Sequence, residues 1–302
     1  MKKLFLLFTL VVFSAAALQA RTVDLNATYV GSSDFNQAKA SANVALAVNA
    51  FVGVEARYVD DRLDNRPYYG GFKDPIYSVR LPIRLDLELI TVRVTPFYYF
   101  TNDSDNKEFQ DASAYGVNTL FSMNMQHDEV EDLYTQAYIG ISYGRQKGTL
   151  FKDSLENGYD NQYYSEMAYT LGLRKNFYQA FVFDVAGSVF QYPDGITGVN
   201  AFRGVMDQQD LAFTQSFDVI RDLPKYTVGT RLTRVWMDEM ATLYAGYRYG
   251  EFYTAKPEHS ILVGNTFVIA KAIKVDLAYN HLMTVHNKNK RDILYVSVGM
   301  SF

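Results

Sequence analysis

Arg57, Arg80, Arg84 and Arg93 sit on the polar phase of segments whose other phase is apolar, and Arg231 and Arg248 repeat the pattern further along. Glu55, Glu88 and Glu166 share that polar phase, together with Asp86, Asp184 and Asp276. Side chains along a strand alternate between two faces, so groups at this spacing look into one common space. Charges of both signs lining a space attract, orient and select ions and small polar solutes. The other reading is that they pair with one another and only stabilise a polar interior. Arginine exceeds nearby carboxylate in the Arg57–Arg93 group, which favours a modest attraction of anions.

Proton-transfer and metal chemistry have few candidates. The histidines are His127, His259, His281 and His286. Counting back across a turn near residue 272 sets His259 opposite His286 on adjacent strands, with Glu258 and Ser260 beside the first. This pair is a weak candidate for a metal or acid–base site. No Ser-His-Asp spacing or metal signature accompanies it, and proximity alone does not make a triad. Cysteine is absent, so a disulfide framework, a zinc knuckle and a thiol nucleophile are all excluded. The expectation is a non-enzyme without a cofactor.

The elements that must carry these residues are read from periodicity. The 302 residues are 15% aromatic, with 24 Tyr and 21 Phe, a balance unlike that of a helical enzyme. The formal net charge of −4 is spread along the chain, without the basic block that would indicate nucleic acid. In the last segment, Leu294, Val296, Val298, Met300 and Phe302 alternate with Tyr295, Ser297, Gly299 and Ser301. Val52, Val54, Ala56 and Tyr58 alternate with Gly53, Glu55 and Arg57. Tyr77, Val79, Leu81, Ile83 and Leu85 alternate with Ser78, Arg80, Arg84 and Asp86. Later segments run over about 112–125, 132–145, 163–175, 180–191, 225–236, 240–253, 259–271 and 274–286, each about the length of a transmembrane strand. The total is about fourteen, with twelve as the alternative; both are even, as single-chain bacterial barrels require.

Link lengths alternate too. Short links follow Asn49, Asp86, Gln126, Lys175, Trp236 and Lys271. Longer ones cover about 32–39, 61–75, 102–111, 146–162, 192–224, 254–258 and 287–291, the asymmetry of tight periplasmic turns against outer loops. Pro82 and Pro96 fall inside strands and predict a bulge or a shifted boundary. Tyr29, Tyr58, Tyr77, Tyr98 and Tyr143 lie towards the outer ends of strands, and Phe51, Tyr134, Phe177 and Trp236 towards the inner ends, as two interfacial girdles would. Tyr99, Tyr138 and Tyr295 are the aromatics assigned to the polar face.

The first twenty residues are read apart. Lys2 and Lys3, the apolar run Leu4 to Phe13 and the small residues before Ala20 make a secretory signal. The expected division is 1–20 signal peptide and 21–302 barrel. No later apolar run reaches the roughly 20 residues of a spanning helix, and only a closed barrel otherwise satisfies every backbone group in lipid. The segment from Tyr295 to Phe302 resembles the C-terminal assembly signal of bacterial outer-membrane β-barrels, with Tyr295 and Phe302 as its aromatics. The length and strand count are similar to those of monomeric fourteen-stranded porins of the outer membrane protein G kind. The resemblance implies a transmembrane antiparallel up-and-down barrel in the outer membrane, exported by the secretory pathway. Its partners would be outer-membrane lipid, periplasmic chaperones, the barrel-assembly machinery and small solutes. Its expected function is passive diffusion of small hydrophilic solutes by a monomer, against a rim hydrolase or an adhesive barrel.

Overall fold

The computed structural model describes residues 22–32, 35–61, 76–101, 109–128, 133–151, 159–177, 181–195, 224–236, 240–253, 256–269, 272–284 and 290–302. They form one antiparallel sheet of 15 segments. These are β1 (Val23–Gly31), β2 (Phe35–Ala47), β3 (Ala50–Asp61), β4 (Ile76–Arg80), β5 (Ile83–Asp86), β6 (Ile90–Thr101), β7 (Phe109–Asp128) and β8 (Leu133–Phe151). There follow β9 (Tyr159–Phe177), β10 (Phe181–Gln191), β11 (Pro224–Trp236), β12 (Ala241–Phe252), β13 (Glu258–Ile269), β14 (Ile273–Thr284) and β15 (Lys290–Ser301). Both β4 and β5 lie between β3 and β6, so they are two halves of one stave and the barrel has 14. The twelve-strand alternative falls.

The sheet closes because β1 pairs with β2 on one side and β15 on the other. The seam runs to the last residue. Val23 N–H donates to the Phe302 carbonyl at 3.1 Å, and Phe302 N–H returns to the Val23 carbonyl at 3.0 Å. No edge remains there to template aggregation. The turn at residues 48–49 and the Val23–Phe302 end of this seam share one end of the barrel, because Val23 also pairs with Val44.

The two faces are inverted relative to a soluble protein. Leu171 is 66% exposed while its neighbour Thr170 is 1%; Leu294 is 61% exposed while Tyr295 is 5%. Apolar side chains point out all around, and polar ones point in. Lipid is the environment that makes such an outer surface favourable, since in water it would be an aggregation surface.

Pro82 interrupts its stave as expected, and Pro96 explains why the interruption is local. In register, Leu81 falls opposite Pro96 and Pro82 opposite Thr95, between the pairs Arg80↔Phe97 and Ile83↔Val94. Leu81 N–H still donates to the Pro96 carbonyl at 3.0 Å, and Gly53 N–H to the Pro82 carbonyl at 2.7 Å. Neither proline can return the bond. Two missing donors at one point split β4 from β5, while β6 stays continuous through Pro96.

Within the links expected at 102–111 and 146–162, residues 109–111, 146–151 and 159–162 are strand. β7, β8 and β9 have 20, 19 and 19 residues, and their pairing continues to Phe109↔Leu150 and Phe151↔Tyr159. At about 3.4 Å per residue, 19 residues reach about 65 Å, well past an apolar band about 25 Å tall. The polar residues there predict loops because the apolar alternation ends with the height of the membrane. The expected signal peptide, His286 and loop residues 196–223 lie outside the described residues.

Candidate functional site

The luminal face is built from alternate residues of every stave, and much of it is as buried as a protein core. Around β2, β3 and β4, Lys39 Nζ lies 3.1 Å from Glu55 Oε2, while Arg80 Nη1 and Arg57 Nη2 lie 3.1 and 3.4 Å from Glu55 Oε1. Register makes this cluster: Ser41↔Glu55↔Arg80 form one row and Lys39↔Arg57↔Ser78 the next. Glu55, Arg57 and Arg80 are 6%, 5% and 2% exposed. A buried charge persists only when paired, and one carboxylate here serves three cations. Phe97 and Tyr99 of β6 pack edge to face beside them at 5.3 Å.

A second network occupies the opposite side and repeats itself. Tyr138 of β8 lies across Gly172 of β9, and its hydroxyl donates to Asp184 Oδ1 of β10 at 2.8 Å. Tyr244 of β12 lies across Gly264 of β13, and its hydroxyl donates to Asp276 Oδ1 of β14 at 2.7 Å. A Cβ on either glycine would overlap the tyrosine ring. Each aspartate takes a second bond from the strand between: Arg174 Nε at 2.7 Å for Asp184, Thr266 Oγ1 at 3.2 Å for Asp276. Arg231, the register partner of Asp184, lays its guanidinium 3.9 Å from the centre of the Tyr244 ring. That joins the two units through a cation–π contact. Nearer the long-loop end, Arg248 Nη2 bonds Glu258 Oε1 at 2.9 Å, Tyr192 Oη donates to the Pro224 carbonyl at 2.9 Å, and Glu166 is buried.

The positions expected from sequence divide as follows. Glu55, Arg57, Arg80, Arg84, Arg93, Arg231, Arg248 and Glu166 all fall on the luminal phase. Glu88 does not line the wall: it is exposed in the turn between β5 and β6. Tyr295 is luminal and buried; Phe302 is outward and 72% exposed. Phe51 leaves the girdle expected of it, since it pairs with Arg84 and carries that guanidinium 4.1 Å above its ring. Tyr134 likewise shares the phase of luminal Tyr138 on β8, and so faces inward. Lys39, Arg174 and Glu258 were not singled out as pore-lining. Lys39 fell in the link expected at 32–39, whereas β2 begins at Phe35. Tyr244 was missed because its importance comes from Gly264 and Asp276 on later strands.

Of the expected histidine pair, His286 lies outside the described residues. His259 is in register with Met283, and it faces outward, with Tyr247 Oη 2.6 Å from its Nδ1. His281 also faces outward, its Nδ1 2.6 Å from Asp292. Among the described residues there is no group of three or more His, Asp or Glu able to hold a metal.

No family model and no curated protein matches the chain. Solved structures do match. The CymD monoaromatic hydrocarbon channel is 8% identical over 95% of this chain and 90% of its own, with a TM-score of 0.50. CdiB from Acinetobacter baumannii is 8% identical over 93% of this chain and 60% of its own, with a TM-score of 0.51. A KdgM porin is 8% identical over 92% and 99%, with a TM-score of 0.44. At such identity what CymD and CdiB share with this chain is the fold alone: here a closed antiparallel barrel of fourteen strands.

Proposed function

We propose that the protein is an outer-membrane channel for small hydrophilic solutes with a modest preference for anions. The observation that carries this reading is the charge of one wall. On the luminal phase of β2 to β6 the described residues include Lys39, Arg57, Arg80, Arg84 and Arg93 against Glu55 and Asp86. Low-dielectric walls focus the field of such groups into the lumen, so local charge outweighs the net −4 of the whole chain. Side chains at the waist are buried, so a small unit conductance is expected. In this reading residues 1–20 direct export, the barrel-assembly machinery and chaperones insert a monomer, and the short turns face the periplasm. A rim hydrolase loses its main support, because His259 faces outward opposite Met283.

The test is the reversal potential of the purified barrel in a planar bilayer under a salt gradient. The wild type should favour anions by a few-fold, and Arg84→Glu with Arg93→Glu should move the potential towards cation preference. A cation-selective wild type, or a double variant without any shift, overturns the reading.

A further inference from the structure

The cationic wall is buried at the waist but open at the short-turn mouth. There the side chain of Arg84 is 45% exposed. Arg84 and Arg93 stand directly opposite each other on β5 and β6. Like charges so placed repel one another, and an anion beside them relieves the repulsion. Arg84 already shows what it accepts. Its Nε and Nη2 both donate to Asp86 Oδ2, at 3.0 and 2.7 Å, so a carboxylate oxygen is what the guanidinium holds. Asp86 is itself steadied by Thr91 Oγ1 at 3.0 Å. This uses two of the five N–H donors of the guanidinium, and one of its faces rests on Phe51.

We infer that Arg84 and Arg93, with Phe51 as an apolar floor, form a binding site for small organic carboxylates at the short-turn mouth of the lumen. The site deepens the channel reading and rests on it for its biological meaning, because it would load or release anionic solutes at one end. Its chemistry does not need conduction. Asp86 marks the carboxylate position from within the chain, so it competes with an incoming carboxylate and keeps the affinity low. The planar fork of arginine suits a carboxylate better than a spherical anion. Phe51 favours a solute whose body is flat and apolar.

The experiment is calorimetric titration of benzoate into the detergent-solubilised barrel, with benzyl alcohol as the uncharged counterpart. Heat-modifiable gel mobility verifies that each variant is folded. Benzoate should bind saturably and benzyl alcohol should not. Arg84→Gln and Arg93→Gln should each weaken binding about ten-fold, the loss of one charge-assisted contact. Asp86→Asn should tighten it several-fold, an outcome that misfolding cannot imitate. Arg234→Gln, on the outer face, should leave it unchanged. The assignment falls if benzoate does not bind saturably, if benzyl alcohol binds as well, or if folded Arg84→Gln retains wild-type affinity. A barrel that binds benzoate but passes no current overturns the channel and keeps the site. An anion-selective barrel that does not bind benzoate does the reverse.

Discussion

Tyr244 reaches Asp276 two strands away by lying across Gly264, and Tyr138 reaches Asp184 across Gly172 with the same offset. Each ring is thereby folded against the wall instead of projecting into the bore. Substituting Gly264 or Gly172 by Ala should lift the ring and break the hydroxyl–carboxylate bond. Hydrogen bonds to charged groups are each worth about 1.5–3 kcal/mol, so a loss of about that size is expected in denaturant titration of the refolded barrel. Tyr244→Phe removes only the bond and should cost less than Gly264→Ala. Equal costs would show that the ring placement contributes nothing.

Glu55 holds Lys39, Arg57 and Arg80 together. Removing one partner of a buried ion pair costs about 3–5 kcal/mol, because the remaining charge stays desolvated. Glu55→Gln should therefore destabilise the barrel by about that amount, and high salt should recover part of the loss by supplying anions. A variant as stable as wild type in low salt would contradict the cluster.

The break between β4 and β5 is attributed to two absent N–H groups. Replacing Pro96 by Val restores a donor facing Leu81, across the existing bond of 3.0 Å. Amide exchange at Leu81 and Gly53 should slow in this variant, and β4 and β5 should approach one continuous strand. Unchanged exchange at both amides would place the cause of the break elsewhere.

Phe302 is the last backbone partner of Val23 and an outward aromatic. Phe302→Asp keeps the backbone pair but puts a charge on the lipid face. Accumulation in the outer membrane should fall more than for any single luminal substitution outside the Glu55 cluster. Wild-type levels in a fractionated membrane assay would remove Phe302 from assembly.

Topology can be read on intact cells. An epitope inserted at Gly158, between the long strands β8 and β9, should be labelled from outside. One inserted at Asp128, at the opposite end of β7, should not. The reverse pattern would turn the barrel over.

Period two along the chain determined most of this molecule. In each strand it says which residues share a face, and it placed Arg57, Arg80, Arg84, Arg93, Arg231 and Arg248 inside without knowledge of any neighbour. The number of alternating segments predicted an even count, short turns made neighbours antiparallel, and closure followed because only a closed sheet satisfies every backbone group in lipid. What periodicity could not give is register, since which residue stands opposite which depends on bulges and on where each turn closes. Register decided that Lys39 joins Glu55, that Tyr244 meets Gly264, and that His259 meets Met283 instead of His286. It also turned Phe51 from a girdle residue into the floor beneath Arg84. Strand height was hidden for a related reason: above the membrane, β7 to β9 no longer need an apolar face, so the alternation that marks a strand in lipid fades while the backbone pairing continues.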